Sequence, residues 1–118
     1  MNMSDPLVNI LFITFNRLYY TKISLPTLLS CNYKNYKLTI VDNGSTDGTV
    51  EYLKSLKNSK IETIIFNKKN EGLVKPTKKF WKNSNAEYVG KIDNDIVVPS
   101  NFIDILINAH TKIENLGV

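Results

Sequence analysis

The chain has 118 residues, 42% of them hydrophobic and 22% charged, which suits one domain at roughly 150 residues each and excludes disordered, collagen-like and coiled-coil chains. Its 15 Lys and Arg against 11 Asp and Glu leave a net charge of +4, too small an excess to mark a nucleic-acid binder, so no nucleic-acid partner is expected. One Cys and one His exclude an internal disulfide and the common Cys/His zinc clusters. The longest unbroken apolar run, Ile10–Ile13, is far short of the ~20 residues that cross a bilayer, so the cytoplasm is the expected compartment.

Val8–Phe15 is nearly continuous Val, Ile, Leu and Phe, the pattern of a buried strand, and Asn16-Arg17 stops it. Leu18, Leu25, Leu28 and Leu29 then share one face of a helix over about 17–31, which Pro26 must kink or restart after Ser24. Leu38–Val41 is a second strand, ending in the turn-forming string Asp42-Asn43-Gly44-Ser45-Thr46-Asp47-Gly48. A short helix carries Val50, Leu53 and Leu56, with Thr46, Asp47 or Thr49 as its cap. Ile61–Phe66 is a third strand, followed by a helical stretch with Leu73, Val74, Phe80 and Trp81 in which Pro76 fits only the first turn. Tyr88–Ile92 is a fourth strand, and Pro99-Ser100 opens a last helix with Ile103, Leu106, Ile107, His110 and Ile113 along one side.

Four β-α units without linker or repeat predict one α/β domain over residues 1–118. Its expected architecture is Rossmann-like: a mostly parallel sheet of about four strands, right-handed crossovers and helices on both faces. Ligands of such sheets bind at the carboxyl ends of the strands. The loops after Phe15, Val41 and Ile92 all fall at that edge.

The residues at that edge suggest chemistry. In extended chain Asp93 and Asp95 point to one side with Asn94 turned away, and two carboxylates so placed suit a hard divalent cation, Mg2+ or Mn2+, whose shell a diphosphate completes. The plainer alternative is a solvated turn. Asp42 has the same position after the second strand, where a carboxylate accepts hydrogen bonds from a ribose hydroxyl or a base imide, or else closes an Asx turn. Thr14-Phe15-Asn16-Arg17 stands where a dinucleotide fold places Gly-x-Gly-x-x-Gly, and no Gly-x-x-x-x-Gly-Lys occurs, so dinucleotide and P-loop chemistry drop out. Six lysines, Lys68, Lys69, Lys75, Lys78, Lys79 and Lys82, fall in a 15-residue stretch opposed only by Glu71. They form either a solvated helix face or a local field for a phosphate or an acidic membrane surface. His110, Cys31 and Trp81 are expected as packed core residues.

Val41-Asp42-Asn43-Gly44-Ser45-Thr46-Asp47-Gly48-Thr49, preceded by Thr14-Phe15-Asn16-Arg17 and followed by Asn70-x-Gly72 and Asp93-Asn94-Asp95, resembles the nucleotide-sugar half of family 2 glycosyltransferases with the GT-A fold. The resemblance covers about residues 8–104. It implies that Thr14, Phe15 and Asp42 line the nucleoside pocket, with Asp42 on the base or ribose. By the same resemblance Asp93 lies near the ribose and the metal, and Asp95 ligates the Mn2+ or Mg2+ that holds the diphosphate. Asn16, Arg17, Asn70, Gly72 and Asn94 complete the implied nucleotide site, with Lys78 where many relatives carry Asn, Arg or His.

The implied reaction is an inverting transfer from a nucleotide-diphosphate sugar, a UDP-sugar before others, to a hydroxyl of a glycan or lipid-linked acceptor in polysaccharide or cell-surface glycan synthesis. The chain is expected to be the donor-binding half, without the acceptor half that supplies the general base. It is also expected at the inner face of a membrane, and as a homodimer through its open sheet edge. The alternatives are a nucleotidyltransferase, which would want a Gly-rich basic loop after the first strand, and a non-catalytic nucleotide-binding module, which would bind without turnover.

Overall fold

The computed structural model describes residues 5–115, and their side chains as far as Ala109. The inward positions expected of His110 and Ile113 lie outside the described side chains. The elements alternate as β1 (Val8–Thr14), α1 (Leu18–Leu29), β2 (Tyr36–Asp42), α2 (Thr49–Ser55), β3 (Ile61–Phe66), α3 (Val74–Asn83), β4 (Tyr88–Asp93) and α4 (Phe102–Asn115). All strand pairs are parallel and the sheet order is β3-β2-β1-β4. The chain therefore steps outward from β1 to β3 and then returns to the far side of β1. That reversal makes the carboxyl ends of β1 and β4 a topological switch point, where sheets of this kind open a crevice for ligands.

β1 is central, and its continuous apolar sequence is explained by burial on both faces. Val8, Ile10 and Phe12 pack with Leu25 and Leu28 of α1, Leu53 of α2 and Ile103 of α4. Leu11 and Ile13, with Val41 of β2, meet Phe80 of α3 on the opposite face. Helices cover both faces as expected, three on one and one on the other. Among the described residues no helix is long and apolar enough to cross a membrane.

At Pro26 the restart alternative is not taken, and two expectations need correction. α1 runs through Pro26 without restarting; the fully buried Leu25 and Leu28 pin both sides of the proline to the core, and burial outweighs the missing N–H bond. Trp81 is not core: it is 54% exposed, because Pro76 and Phe80 take the inward face of α3. Leu106 is exposed as well, and Ile103 makes the buried contact of α4. Cys31 is half-buried against the core.

Candidate functional site

Register places Thr14 beside Asp42 at the carboxyl ends of β1 and β2. Both are fully buried. The Asp42 carboxylate accepts four hydrogen bonds: from Thr14 Oγ1 at 2.7 Å and Ser45 Oγ at 2.5 Å on Oδ1, and from the N–H groups of Gly44 at 3.1 Å and Ser45 at 2.9 Å on Oδ2. An ionised carboxylate offers about four lone-pair sites, so these internal donors account for them. This is the Asx-turn arrangement, extended to the neighbouring strand by Thr14.

The chain leaving β1 is strained. Asn16 and Arg17 both have positive φ, 52° and 59°, a left-handed conformation that Asn tolerates better than Arg. The loop after β2 holds them there. Asn16 N–H donates to Ser45 Oγ at 2.7 Å, and Thr46 N–H donates to Asn16 Oδ1 at 2.8 Å. Leu18 N–H, first in α1, donates to Asp47 Oδ2 at 2.9 Å, while Thr49 donates its N–H and its hydroxyl to Asp47 Oδ1 at 3.1 and 2.6 Å. One carboxylate thus caps two helices. Desolvation opposes the Asp47 charge, yet the bonds from the Thr49 hydroxyl and the Leu18 and Thr49 amides hold its carboxyl below the usual value.

Asn43, 1% exposed, joins this loop to the next. Its Nδ2 donates to Gly72 O at 3.0 Å, and its Oδ1 accepts from Asn67 Nδ2 at 3.0 Å and Glu71 N–H at 3.4 Å. Asn70 Oδ1 closes a turn on the Gly72 N–H at 2.8 Å, and Gly72 has φ 78°. Gly44, at φ 85°, lies so close to the next loop that a Cβ there would stand 3.0 Å from the Lys69 Cα.

The third part of the edge is the turn after β4. Sequence reasoning treated Asp93-Asn94-Asp95 as extended, whereas β4 ends at Asp93 and Ile96 N–H donates to Asp93 O at 3.2 Å, closing a turn over Asn94 and Asp95. The alternation of side chains therefore stops at Asp93. Lys91 Nζ lies 2.6 Å from Asp93 Oδ1, and Arg17 Nη1 lies 4.0 Å from Asp95 Oδ2. Arg17 also stands over the Tyr20 ring, 5.9 Å from its centre. Asn94 is not simply turned away: its Nδ2 donates to Thr21 Oγ1 of α1 at 3.2 Å. Both aspartates are largely exposed and paired at the surface, where a pair contributes about 0–1 kcal/mol and exchanges readily.

These residues bear on a divalent cation through their donor chemistry. Among the described residues no group of three or more His, Cys, Asp and Glu converges on a metal position. Two hard carboxylates, one opening the turn and one within it, are of the kind that suits a cation that also takes phosphate and water oxygens. The donor set is of the hard-oxygen type that Mg2+ or Mn2+ takes.

Phe15 is exposed at the same edge. Lys78 is not brought there by any described contact; it is exposed on the outer side of α3. A cleft of about 460 Å³ opens between α3 and the β2–β3 face, reaching the edge at Asn67 and Glu71 but not at Asp93 or Asp95. Sequence reasoning missed Asn43, Ser45, Asn67 and the double role of Asp47. The turn-forming string marked a loop, but which groups face it depends on strand register.

The profile described as Glycosyl transferase family 2 matches residues 9–118. A glycosyltransferase of Rickettsia bellii is 28% identical over 93 residues, 79% of this chain and 13% of that protein. One of Rickettsia typhi is 30% identical over 117 residues, 99% of this chain and 36% of that protein. The chain thus spans well under half of these relatives. Among solved structures, a Pyrobaculum calidifontis mannosyltransferase in complex with GDP-Man and Mn2+ superposes with a TM-score of 0.69 at 19% identity, covering 82% of this chain and 30% of that one. S. aureus TarS in complex with UDP-GlcNAc gives 0.72 at 21% identity, covering 92% and 31%. Both share the fold.

Proposed function

The chain belongs to glycosyl transferase family 2, and on that premise we propose that its carboxyl edge is the donor site of an inverting transferase acting on a nucleotide-diphosphate sugar, a UDP-sugar before others. The observation that carries this reading is the meeting at the β1/β4 switch point of the loop after β1 with the Asp93–Ile96 turn, joined by the Arg17–Asp95 pair.

Thr14, Phe15, Asn16 and Arg17, with Asn70, Gly72 and Asn94, form the nucleotide side. Asp42 acts there chiefly by holding the loop that meets the nucleoside; a direct bond to base or ribose needs Thr14 or Ser45 to release it. Asp93 and Asp95 hold the cation, which when bound neutralises charge on the departing diphosphate. Arg17, beside Asp95, supplies a further positive charge, and Lys78 lends its charge from α3.

The acceptor, a glycan or lipid-linked hydroxyl, attacks the anomeric carbon; the bond from that carbon to the diphosphate oxygen breaks, and the hydroxyl proton passes to a carboxylate base. That base and the acceptor surface are assigned to parts that the longer relatives have beyond the stretch matched by this chain, and the residues described carry the donor side. The setting is the cytoplasmic side of polysaccharide or cell-surface glycan synthesis. Among the described residues β4 is a sheet edge, and unpaired edges recruit partners, so a homodimer through β4 and α4 belongs to the same reading.

Titration calorimetry with UDP, GDP and dTDP tests the donor site. One of them is expected to bind with Mn2+ or Mg2+ present and to weaken sharply in excess EDTA. Failure of all three to bind, or equal binding in EDTA, would overturn the reading.

A further inference from the structure

α3 carries three stripes whose members stand four and seven residues apart, the spacing that aligns side chains along a helix. Pro76 and Phe80 turn inward and are buried. Val74, Lys78 and Trp81 form an outer stripe, and Lys75, Lys79 and Lys82 form the one beside it, all exposed. Leu73, just before the helix, is exposed too, so Leu73, Val74 and Trp81 present apolar surface at 55, 67 and 54% exposure. Lys68 and Lys69 add two exposed charges in the preceding loop. Lys75 pairs with Glu71 at 3.3 Å. Among the described residues no ion pair engages Lys68, Lys69, Lys78, Lys79 or Lys82.

A solvated basic helix needs no tryptophan on its outer face, and a pocket for a soluble phosphate needs no Leu-Val-Trp surface beside it. Both features together match an anionic lipid interface. There an indole sits at the headgroup level, aliphatic side chains enter the acyl boundary, and lysines extend their ammonium groups to lipid phosphates. We propose that the outer face of α3, with Lys68 and Lys69, is a docking surface for an anionic lipid bilayer. The charge complementarity supplies long-range attraction, and the Leu73–Val74–Trp81 surface supplies burial that a neutral surface alone does not secure. The Asn43–Gly72 hydrogen bond ties the start of this region to the loop after β2, so a docked α3 holds the carboxyl edge at a set distance from the bilayer. The proposal stands apart from the donor-site reading: nucleotide binding and vesicle binding can each fail with the other intact.

Trp81 is the only tryptophan, so its fluorescence reports this surface and no other. With vesicles of mixed phosphatidylglycerol and phosphatidylcholine its emission is expected to shift to the blue, to be quenched by brominated acyl chains, and to return toward the free value as salt is raised. Pure phosphatidylcholine vesicles are expected to have little effect. The double variant Lys68→Glu, Lys82→Glu, altered only at exposed positions outside the proposed donor site, is expected to lower vesicle partitioning by at least about tenfold with an unchanged circular-dichroism melt. An unshifted emission with anionic vesicles, an equal shift with neutral ones, or parental partitioning of the double variant would overturn the proposal. An equal shift with single-stranded RNA or inorganic polyphosphate in place of vesicles would overturn it in favour of a soluble polyanion.

Discussion

Replacing Asp42 by Asn separates a carboxylate that shapes the loop from one that binds nucleoside. The two partners of Oδ2 are backbone N–H groups of Gly44 and Ser45, which cannot turn round, so the amide oxygen must remain with them. The amide NH2 then faces the Thr14 and Ser45 hydroxyls, which must reverse from donors to acceptors. Two backbone bonds lose their charge assistance, about 1 kcal/mol each, and the reversed hydroxyl of fully buried Thr14 is left seeking an acceptor, about 1–3 kcal/mol more. The sum, about 3–5 kcal/mol, is a large part of a typical stability of about 5–15 kcal/mol. At a urea slope of about 2 kcal/mol/M it lowers the unfolding midpoint by about 2 M. Nucleotide affinity is expected to fall with it by tenfold or more, and Ser45→Ala is expected to move both quantities in the same direction by less. An Asp42→Asn variant that unfolds at the parental midpoint but has lost nucleotide affinity would refute the argument and make Asp42 a direct ligand.

Asp95→Ala is expected to remove most of the Mn2+ enhancement of nucleoside diphosphate binding while leaving the weak binding in EDTA almost unchanged, as calorimetry would read. Asp47 has a depressed folded-state pKa, so its stabilisation is present above the unfolded value of about 4 and is lost as pH falls through the lower folded value. Asp47→Asn is expected to cost about 1 kcal/mol near neutrality and to lose that difference in acid, as urea melts at a series of pH values would show. Gly44→Ala meets both a positive φ and the Lys69 backbone, whereas Gly72→Ala meets a positive φ with open space. Gly44→Ala is therefore expected to destabilise by roughly 2 kcal/mol or more and Gly72→Ala by about 1, and equal melts would contradict the close packing at Gly44. Burial, aided by Asp104, pushes the Cys31 thiol up, so alkylation by iodoacetamide is expected to run slower than for a free thiol at pH 8 and to catch up only in stronger alkali.

The alternation of β and α segments was legible because its signals are local. Ile61–Phe66 is a strand with the bounds that its apolar run and flanking turns suggest, and the Asp42–Gly48 string is a loop because Asn, Gly, Ser and Asp favour turns wherever they occur. What each carboxylate touches was not legible. Asp42 finds Thr14 across 28 residues only because β1 and β2 pair in one particular register, and a slip of β2 by one residue would turn Asp42 to the other face, away from Thr14. Asp95 meets Arg17 because the order β3-β2-β1-β4 returns the chain to the free side of β1, a choice that no local pattern contains. The same holds for Trp81. Its apolar character suggested a place in the core, but α3 has one inward stripe, and which residues fill it was decided by the sheet face that receives Phe80. Periodicity states which residues are apolar and how they are spaced; only the packing of one element on another selects the face that loses its water.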